Sequence, residues 1–173
     1  MTYIHETLEL THTAALEMLS AAIAAAESID QPQCIVIVDK SGETLASIRM
    51  TGAKFLSMLS ARTKARTAAS IKADSGAIPA HVAPLIAAAT QDQVTGLDGG
   101  LPIFVKGILV GAIGVGSGSP QQDIAVGKAA IAALDALVGT SESLTYLVHT
   151  FENFLPRSMV LCSALARAAT RSN

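Results

Sequence analysis

The sequence predicts a mixed α/β protein of the α+β class, in which two β-hairpins alternate with helices. Three observations lead to this fold. Apolar residues recur at intervals of three and four over residues 10–29, which is the period of an amphipathic helix. Short β-branched runs are separated by turn residues, as in hairpins. The length of 173 residues suits one domain of ordinary size.

The first elements are a helix over residues 10–29 and a β-hairpin. Thr11 is the predicted N-cap of the helix, since its hydroxyl can accept a hydrogen bond from the first turn. Residues 34–38 form a continuous apolar, β-branched run that predicts a buried strand. The turn residues 39–42 connect this strand to a second one over residues 44–50.

Two further helices are predicted in the middle of the chain. The first covers residues 54–71, with Phe55, Met58 and Leu59 facing the core near its start. Small residues follow them, and this favours close packing of the helix. A short helix over residues 80–89 comes next.

A second hairpin and a fourth helix complete the domain. The strands cover residues 101–105 and 108–115, and the lysine and glycine between them are typical of a tight turn. The helix is predicted over residues 121–138. Ser119 is its expected N-cap, and Pro120 suits the first helical position.

The sequence changes in character after Gly139. We therefore divide the chain into a domain over residues 1–139 and a helical C-terminal extension over residues 140–173. The extension contains an apolar stripe between Leu144 and Leu155 and a further helix over residues 159–169.

Composition narrows the class of protein. Half of the residues are apolar and only 15% are charged, so apolar patches should remain on the surface and favour a homo-oligomer. Enrichment in alanine and glycine is the alternative explanation of this composition.

A net charge of −2 gives no general attraction to nucleic acid or membrane. No apolar run approaches the length of a membrane span, and the first ten residues do not resemble a secretory signal. The two distant cysteines, Cys34 and Cys162, indicate reduced thiols and a cytoplasmic location.

The basic residues are concentrated in one window. Residues 44–73 contain six of them and no acidic residue. The six are Arg49, Lys54, Arg62, Lys64, Arg66 and Lys72. Two explanations stay open: a solvated helix face, or a site for an anion such as the carboxylates of a small molecule.

Five motifs, in order along the chain, resemble those of the GlcG/HbpS family (DUF336). They are Val38-Asp39-Lys40-Ser41-Gly42, Arg49-Met50-Thr51-Gly52-Ala53, Lys64-Ala65-Arg66-Thr67-Ala68-Ala69, Gly99-Gly100-Leu101-Pro102-Ile103 and Gly111-Ala112-Ile113-Gly114-Val115. The resemblance implies a profilin-like architecture, with an antiparallel sheet flanked by helices and assembled into oligomers. It also implies haem as a ligand, because some relatives bind haem.

Two histidines are candidates for chemistry. His12 lies in the first turn of the first helix, where the positive end of the helix dipole favours the neutral imidazole that binds metals. It is therefore the candidate haem-iron ligand, with a surface histidine near a helix start as the alternative. His81 is the second candidate and a possible catalytic base.

The Gly-Ser loop over residues 114–119 precedes a helix, so its amides could bind a carboxylate or a phosphate. Gly114, Gly116, Ser117 and Gly118 are the candidate ligand-binding residues of this loop. The alternative is a tight connection that requires positive φ angles. Asp123 lies in the first turn of the following helix. Its negative charge either stabilises the positive end of the helix dipole or serves as an acid or base. Serine hydrolysis is excluded because the chain lacks a nucleophile elbow.

Three functions remain compatible with the sequence. In the first, an oligomer binds a small anionic molecule, haem included, beside Lys64 and the Gly-Ser loop. In the second, the same pocket is a cofactor-free lyase or isomerase for a small carboxylated metabolite, with Arg49 or Lys64 as the anion clamp and Asp123 or His81 as the base. In the third, the protein is an accessory or scaffold protein whose C-terminal extension docks a partner.

Overall fold

The computed structural model describes the backbone of residues 3–4 and 6–154 and the side chains of residues 3–4 and 6–140. Within this part of the chain, the predicted alternation of helices and hairpins is confirmed. The elements are α1 (His12–Ser28), β1 (Cys34–Asp39), β2 (Thr44–Arg49), α2 (Ser57–Ile71), a 3₁₀ turn (Ser75–Ala77), α3 (Ala83–Ala89), β3 (Gly100–Val105), β4 (Ile108–Gly116) and α4 (Pro120–Phe154). Thr11 caps α1 as expected, since its side chain accepts a hydrogen bond from the amide of Ala14.

The four strands form one antiparallel sheet in the order β2-β1-β4-β3. β1 and β4 occupy the centre, which explains why both are largely apolar and buried. Their register places Val36 opposite Gly114 and Ile37 opposite Ile113. Since successive side chains point to opposite faces of a sheet, these two pairs lie on opposite faces.

α2 covers the face of the sheet that carries Val36, and it does so through small residues. The core between them contains Cys34, Val36, Val38, Ala53, Ala61, Ala65, Ala68, Ala69 and Ala112. Glycine allows the backbones to come close: a Cβ at Gly114 would overlap the carbonyl oxygen of Ala61 and lie 2.6 Å from the amide nitrogen of Ala65. The close helix packing predicted from the small residues is therefore present.

α1 and α4 pack on the opposite face. Ile35, Ile37 and Ile113 are fully buried there. A Cβ at Gly127 of α4 would lie 2.8 Å from the Cδ1 atom of Leu101, so α4 also approaches the sheet through a glycine. The sheet is thus enclosed between two layers of helix.

The prediction that Phe55 and Leu59 face the core is wrong. They are 70% and 66% exposed, whereas Met58 packs against the α2 core as predicted. The physical reason is the short distance between α2 and the sheet, which is filled mainly by small side chains. Phe55 also precedes the helix, which begins at Ser57.

α4 is longer than its sequence pattern predicted. It begins at Pro120 and continues through Gly139 to Phe154, so the expected end at Val138 is wrong. The chain divides into two compact units, Met1–Asp135 and Ala136–Asn173, and the second is helical as far as Phe154. The helix predicted over residues 159–169 lies outside the described residues, and the domain boundary at residue 139 stays a prediction. None of the described helices is long and apolar enough to cross a membrane.

Candidate functional site

Lys64 and Asp123 form one buried ion pair. The Nζ atom of Lys64 lies 2.8 Å from the Oδ2 atom of Asp123 and donates a second hydrogen bond of 2.8 Å to the carbonyl oxygen of Val115. Only 7% of the Lys64 side chain and 3% of the Asp123 side chain are exposed. Lys64 therefore binds partners within its own chain and is neither solvated nor extended toward solvent.

The backbone makes room for this pair. Gly99 has a φ of +104°, and a Cβ there would lie 2.8 Å from the Cβ atom of Asp123 and 3.2 Å from Nζ of Lys64. The second carboxylate oxygen of Asp123 accepts a hydrogen bond of 3.0 Å from the amide of Gly118. Since Asp123 lies in the first turn of α4, its negative charge also meets the positive end of the helix dipole.

Burial raises the pKa of Asp123. Desolvation of the carboxylate outweighs the hydrogen bond and the charge of Lys64 and the hydrogen bond from Gly118, all of which lower that pKa. The pair joins the middle of α2 to the start of α4, and its geometry is that of an internal structural contact.

The predicted Gly-Ser loop is shorter than expected, because β4 extends to Gly116. Gly114 and Gly116 are buried in that strand beneath α2. Ser117, with a φ of +91°, accepts a hydrogen bond of 3.0 Å from the amide of Lys54 at its hydroxyl. The connection therefore contains a positive φ angle, which is what the tight-connection explanation of the Gly-Ser loop requires.

The amides of Gly118, Ser119 and Gln122, at the start of α4, already have side-chain partners. The amide of Gly118 donates to Asp123, and the amide of Ser119 donates to the side chain of Gln122 over 2.8 Å. In return, the Ser119 hydroxyl accepts from the amide of Gln122 over 3.3 Å, which is a reciprocal capping arrangement. An anion at this helix end would have to replace these contacts.

Arg49, His12 and His81 are exposed and separate from the Lys64–Asp123 pair. Arg49 is the last residue of the edge strand β2, and His12 is the first residue of α1. His81 precedes α3. Among the residues whose side chains are described, no group of three His, Cys, Asp or Glu residues is arranged to hold a metal ion. The binding and catalytic roles of these candidates stay predictions.

The described side chains form at least four surface grooves, and two of these four have lining charges of a single sign. We call the first the basic groove. It has a volume of about 380 Å³ and is lined by Lys40, Ser41, Gly42, Arg66, Ala69, Ser70, Thr90, Gln93 and Val94. None of the six residues Arg49, Lys64, Asp123, His12, His81 and Gly118 lines any of the four grooves.

Lys40 and Arg66 are the charged residues of the basic groove. The turn between β1 and β2 holds Lys40 in place, because the carboxylate of Asp39 accepts hydrogen bonds from the Ser41 amide, the Ser41 hydroxyl and the Glu43 amide. Burial alone would raise the pKa of Asp39, but these hydrogen bonds outweigh it and lower the pKa. The turn is therefore stable with a negative Asp39.

The contacts of the two cations lie at the surface, where all three of the acceptors are exposed. Nζ of Lys40 lies 2.9 Å from the hydroxyl of Thr7 and 3.4 Å from the exposed carboxylate of Glu9. Arg66 lies 4.0 Å from the exposed carboxylate of Glu43. Arg66 belongs to the basic window of residues 44–73, whereas Lys40 lies in the turn between the first two predicted strands. The sequence signals for the groove are that Lys40 belongs to the first family motif and Arg66 to the third.

The fold and its grooves define a small α+β domain whose central sheet is covered by helices and whose charged grooves open at the surface. The family model described as "Haem degrading protein HbpS-like" matches residues 10–132. The chain belongs to this HbpS-like family, as its five motifs indicated.

Similar proteins extend this assignment. The corrinoid adenosyltransferase PduO of Citrobacter freundii is 32% identical over 124 residues, which cover 69% of this chain and 37% of PduO. The chain thus spans well under half the length of that relative. The crystal structure of Klebsiella pneumoniae protein ORFY (family model DUF336) has a TM-score of 0.75 at 28% identity and covers 79% of this chain and 97% of ORFY. A structure of a PduOC:heme complex has a TM-score of 0.68 at 29% identity, with coverages of 73% and 95%.

Proposed function

We propose that this protein binds a small anionic ligand in the basic groove. One observation carries the proposal: two partly exposed cations, Lys40 and Arg66, line a groove whose lining contains no acidic residue. Ser70 adds a hydroxyl, whereas the hydroxyls of Ser41 and Thr90 already donate to Asp39 and Ile86. Charge-assisted hydrogen bonds from such cations are the usual way to hold a carboxylate or a phosphate.

Replacing both Lys40 and Arg66 with methionine should weaken the binding of a small dicarboxylate, with succinate as the probe, by about 100-fold or more. A hydrogen bond to a charged group contributes about 1.5–3 kcal/mol, and each 1.4 kcal/mol is about tenfold in affinity. Methionine keeps most of the Arg66 stem, which packs close to Gly42. Titration calorimetry with succinate and with inorganic phosphate measures the change.

Lys128→Met is the matched control, because Lys128 is an exposed lysine of α4 that lines none of the four grooves. It should bind the probes as tightly as the unaltered protein. The proposal is wrong if the control weakens binding as much as the double variant, or if the unaltered protein binds neither probe.

Haem is the second candidate ligand, since the family description and one solved relative name it. The basic groove offers Lys40 and Arg66 to the carboxylates of haem, but none of its lining residues is a histidine, methionine or cysteine that could ligate the iron. His12 is exposed and outside the groove. The basic groove thus fits the carboxylates of haem and not its iron, and the role of His12 stays a proposal.

A haem titration tests that role. If His12 ligates the iron, the Soret band that develops on adding haemin should be lost in His12→Ala and kept in His81→Ala, because both histidines are exposed and only His12 has the proposed role. Absorption spectra of the purified proteins provide the measurement. Identical Soret bands in the two variants would exclude His12 as the ligand, and no spectral change in the unaltered protein would exclude haem.

The two alternative functions have less support. In a lyase or isomerase, Lys64 and Asp123 would have to clamp and deprotonate a substrate, yet they neutralise each other in a buried pair. Arg49 and His81 are exposed and remain available for those roles. The accessory role depends on the C-terminal extension, whose side chains beyond residue 140 are outside the described part of the chain.

We also propose a homo-oligomer located in the cytoplasm. Large apolar side chains that are more than half exposed support the oligomer, since patches of this kind usually mark a contact surface. Phe55, Leu56 and Leu59 are examples. The mass of the protein in solution, measured by light scattering at micromolar concentration, tests it.

A further inference from the structure

An exposed apolar patch with a positive rim lies at the start of α2. Phe55, Leu56 and Leu59 supply the apolar surface, and Lys54 and Arg62 flank it. We call these five residues the α2 patch. Neither cation forms an ion pair with any residue that the structure describes.

A groove of the opposite charge lies between the end of α1 and strand β2. We call it the acidic groove. It has a volume of about 500 Å³ and is lined by Ile23, Ala26, Glu27, Asp30, Gln31, Pro32, Ile48, Met50 and Thr51. Its charged lining residues are therefore both acidic, and apolar side chains form most of the remainder.

Each of the two surfaces carries a charge that is unfavourable for the helix dipole at the nearby end of its own helix. Glu27 lies in the last turn of α1, at the negative end of the helix dipole, and that turn contains no basic residue. Lys54 lies just before α2, at the positive end of its dipole, and the first turn of α2 contains no acidic residue. The acidic residue at the end of α1 would stabilise the start of α2, and the basic residue before α2 would stabilise the end of α1.

We propose that the α2 patch of one subunit binds in the acidic groove of a second copy of this chain, and that the contact is reciprocal. The proposal rests on the homo-oligomer proposed above. Groove and patch are neighbours: Thr51 lines the groove, and Gly52 packs against its wall, since a Cβ at Gly52 would lie 3.4 Å from the Cγ atom of Pro32. When two complementary surfaces lie side by side on a subunit, a two-fold axis can place each of them against the complementary surface of the second subunit. Two-fold symmetry is the commonest symmetry of homo-oligomers.

The charges favour a second copy over an unrelated partner, because one chain provides both halves of the contact. The exchange places Lys54 and Arg62 beside Glu27 and Asp30. It also brings the positive end of α2 to the negative end of α1, and it covers Phe55. An unrelated partner would have to match an apolar surface and both helix ends independently.

Replacing Phe55 with serine should raise the dissociation constant for self-association about tenfold or more, since buried aromatic side chains are common anchors of interfaces. Light scattering across a concentration series measures the change. Leu85→Ser is the matched control, because Leu85 in α3 is also 70% exposed but lies outside both surfaces. It should leave self-association unchanged.

Charge reversal tests the pairing of the two surfaces. The double variants K54E/R62E and E27K/D30K should each dissociate the assembly, because like charges then face each other. Combining all four changes should restore it. The reversals at Lys54 and Glu27 place the favoured sign at each helix end, but Lys54→Glu also loses the attraction between Lys54 and Asp123, so the melting temperature of each variant is measured together with its assembly.

The possible outcomes are distinct. A monomeric unaltered protein would overturn both the homo-oligomer and this interface. An assembly that persists in Phe55→Ser and in both reversed variants would overturn the interface alone. Dissociation by each reversal without recovery in the combined variant would show that the two surfaces do not bind each other, as with an unrelated partner, and would also overturn the proposal.

Discussion

Replacing Lys64 with methionine is expected to lower the free energy of unfolding by about 3–5 kcal/mol at neutral pH, because the variant leaves a buried carboxylate without its partner. Methionine keeps most of the apolar volume of the lysine stem, so the effect reports mainly the lost charge. A loss of this size is a large part of the about 5–15 kcal/mol that stabilises an ordinary domain. Urea unfolding followed by circular dichroism measures it.

The loss should also depend on pH. In the variant, burial still raises the pKa of Asp123, while the lowering effects of Lys64 are gone. A carboxyl with a higher pKa in the folded state binds more protons there, so stability falls as pH rises from the ordinary value of about 3.9 toward the raised pKa. We therefore expect the variant to be closer to the unaltered protein at pH 5 than at pH 8.

A second substitution separates charge from packing. Adding Asp123→Asn to Lys64→Met removes the buried charge and keeps an oxygen that can accept from the amide of Gly118. The double variant should recover part of the stability and lose the added pH dependence. If Lys64→Met alone unfolds at the same urea concentration as the unaltered protein at pH 8, the ion pair contributes nothing to the fold.

Replacing Gly114 with alanine should lower the free energy of unfolding by about 1–3 kcal/mol, which is the usual effect of extra atoms in a packed core. The added methyl group would overlap the carbonyl oxygen of Ala61, and a backbone atom cannot rotate away as a side chain can. α2 would have to shift, and the shift would also move Lys64 relative to Asp123. Thermal unfolding should show a lower melting temperature.

Gly139→Ala is the control for this change. It also adds one methyl group at a glycine, but among the described residues no atom outside its own stretch of helix lies within 4 Å of a Cβ there, and the residue is inside α4. Alanine stabilises a helix interior by about 0.8–1.0 kcal/mol relative to glycine, so the control should not lower the melting temperature. An unchanged melting temperature in Gly114→Ala would mean that α2 does not lie this close to β4.

Much of the fold could be predicted from local patterns, because hydrophobic period and turn residues act over short distances. They identified both hairpins and the main helices. The period could not predict the exposure of Phe55 and Leu59, since it shows which side chains share a face but not how far the helix lies from the sheet. The predicted end of α4 at Val138, just before Gly139, was too early, because one glycine weakens a helix without ending it.

The candidate site was less predictable, because its residues meet only after folding. Lys64 and Asp123 both attracted attention, yet they are 59 positions apart, and no sequence pattern showed that they pair. The basic groove combines Lys40 from a turn, Arg66 from α2 and Thr90 from the end of α3. Each of these residues has an ordinary local explanation, and only the packing of the three segments places them around one groove.

The central position of β1 and β4 also determines when the chain can fold during synthesis. β1 emerges from the ribosome with the first hairpin, but the strand that pairs with its other edge is β4. The glycines that let α2 approach the sheet also lie in β4. Until the second hairpin is made, the nascent chain exposes an apolar strand with an unpaired edge, which is prone to wrong association. Native contacts between segments this distant in sequence also form slowly. The central sheet can therefore be completed only after the residues of β4 have left the ribosome.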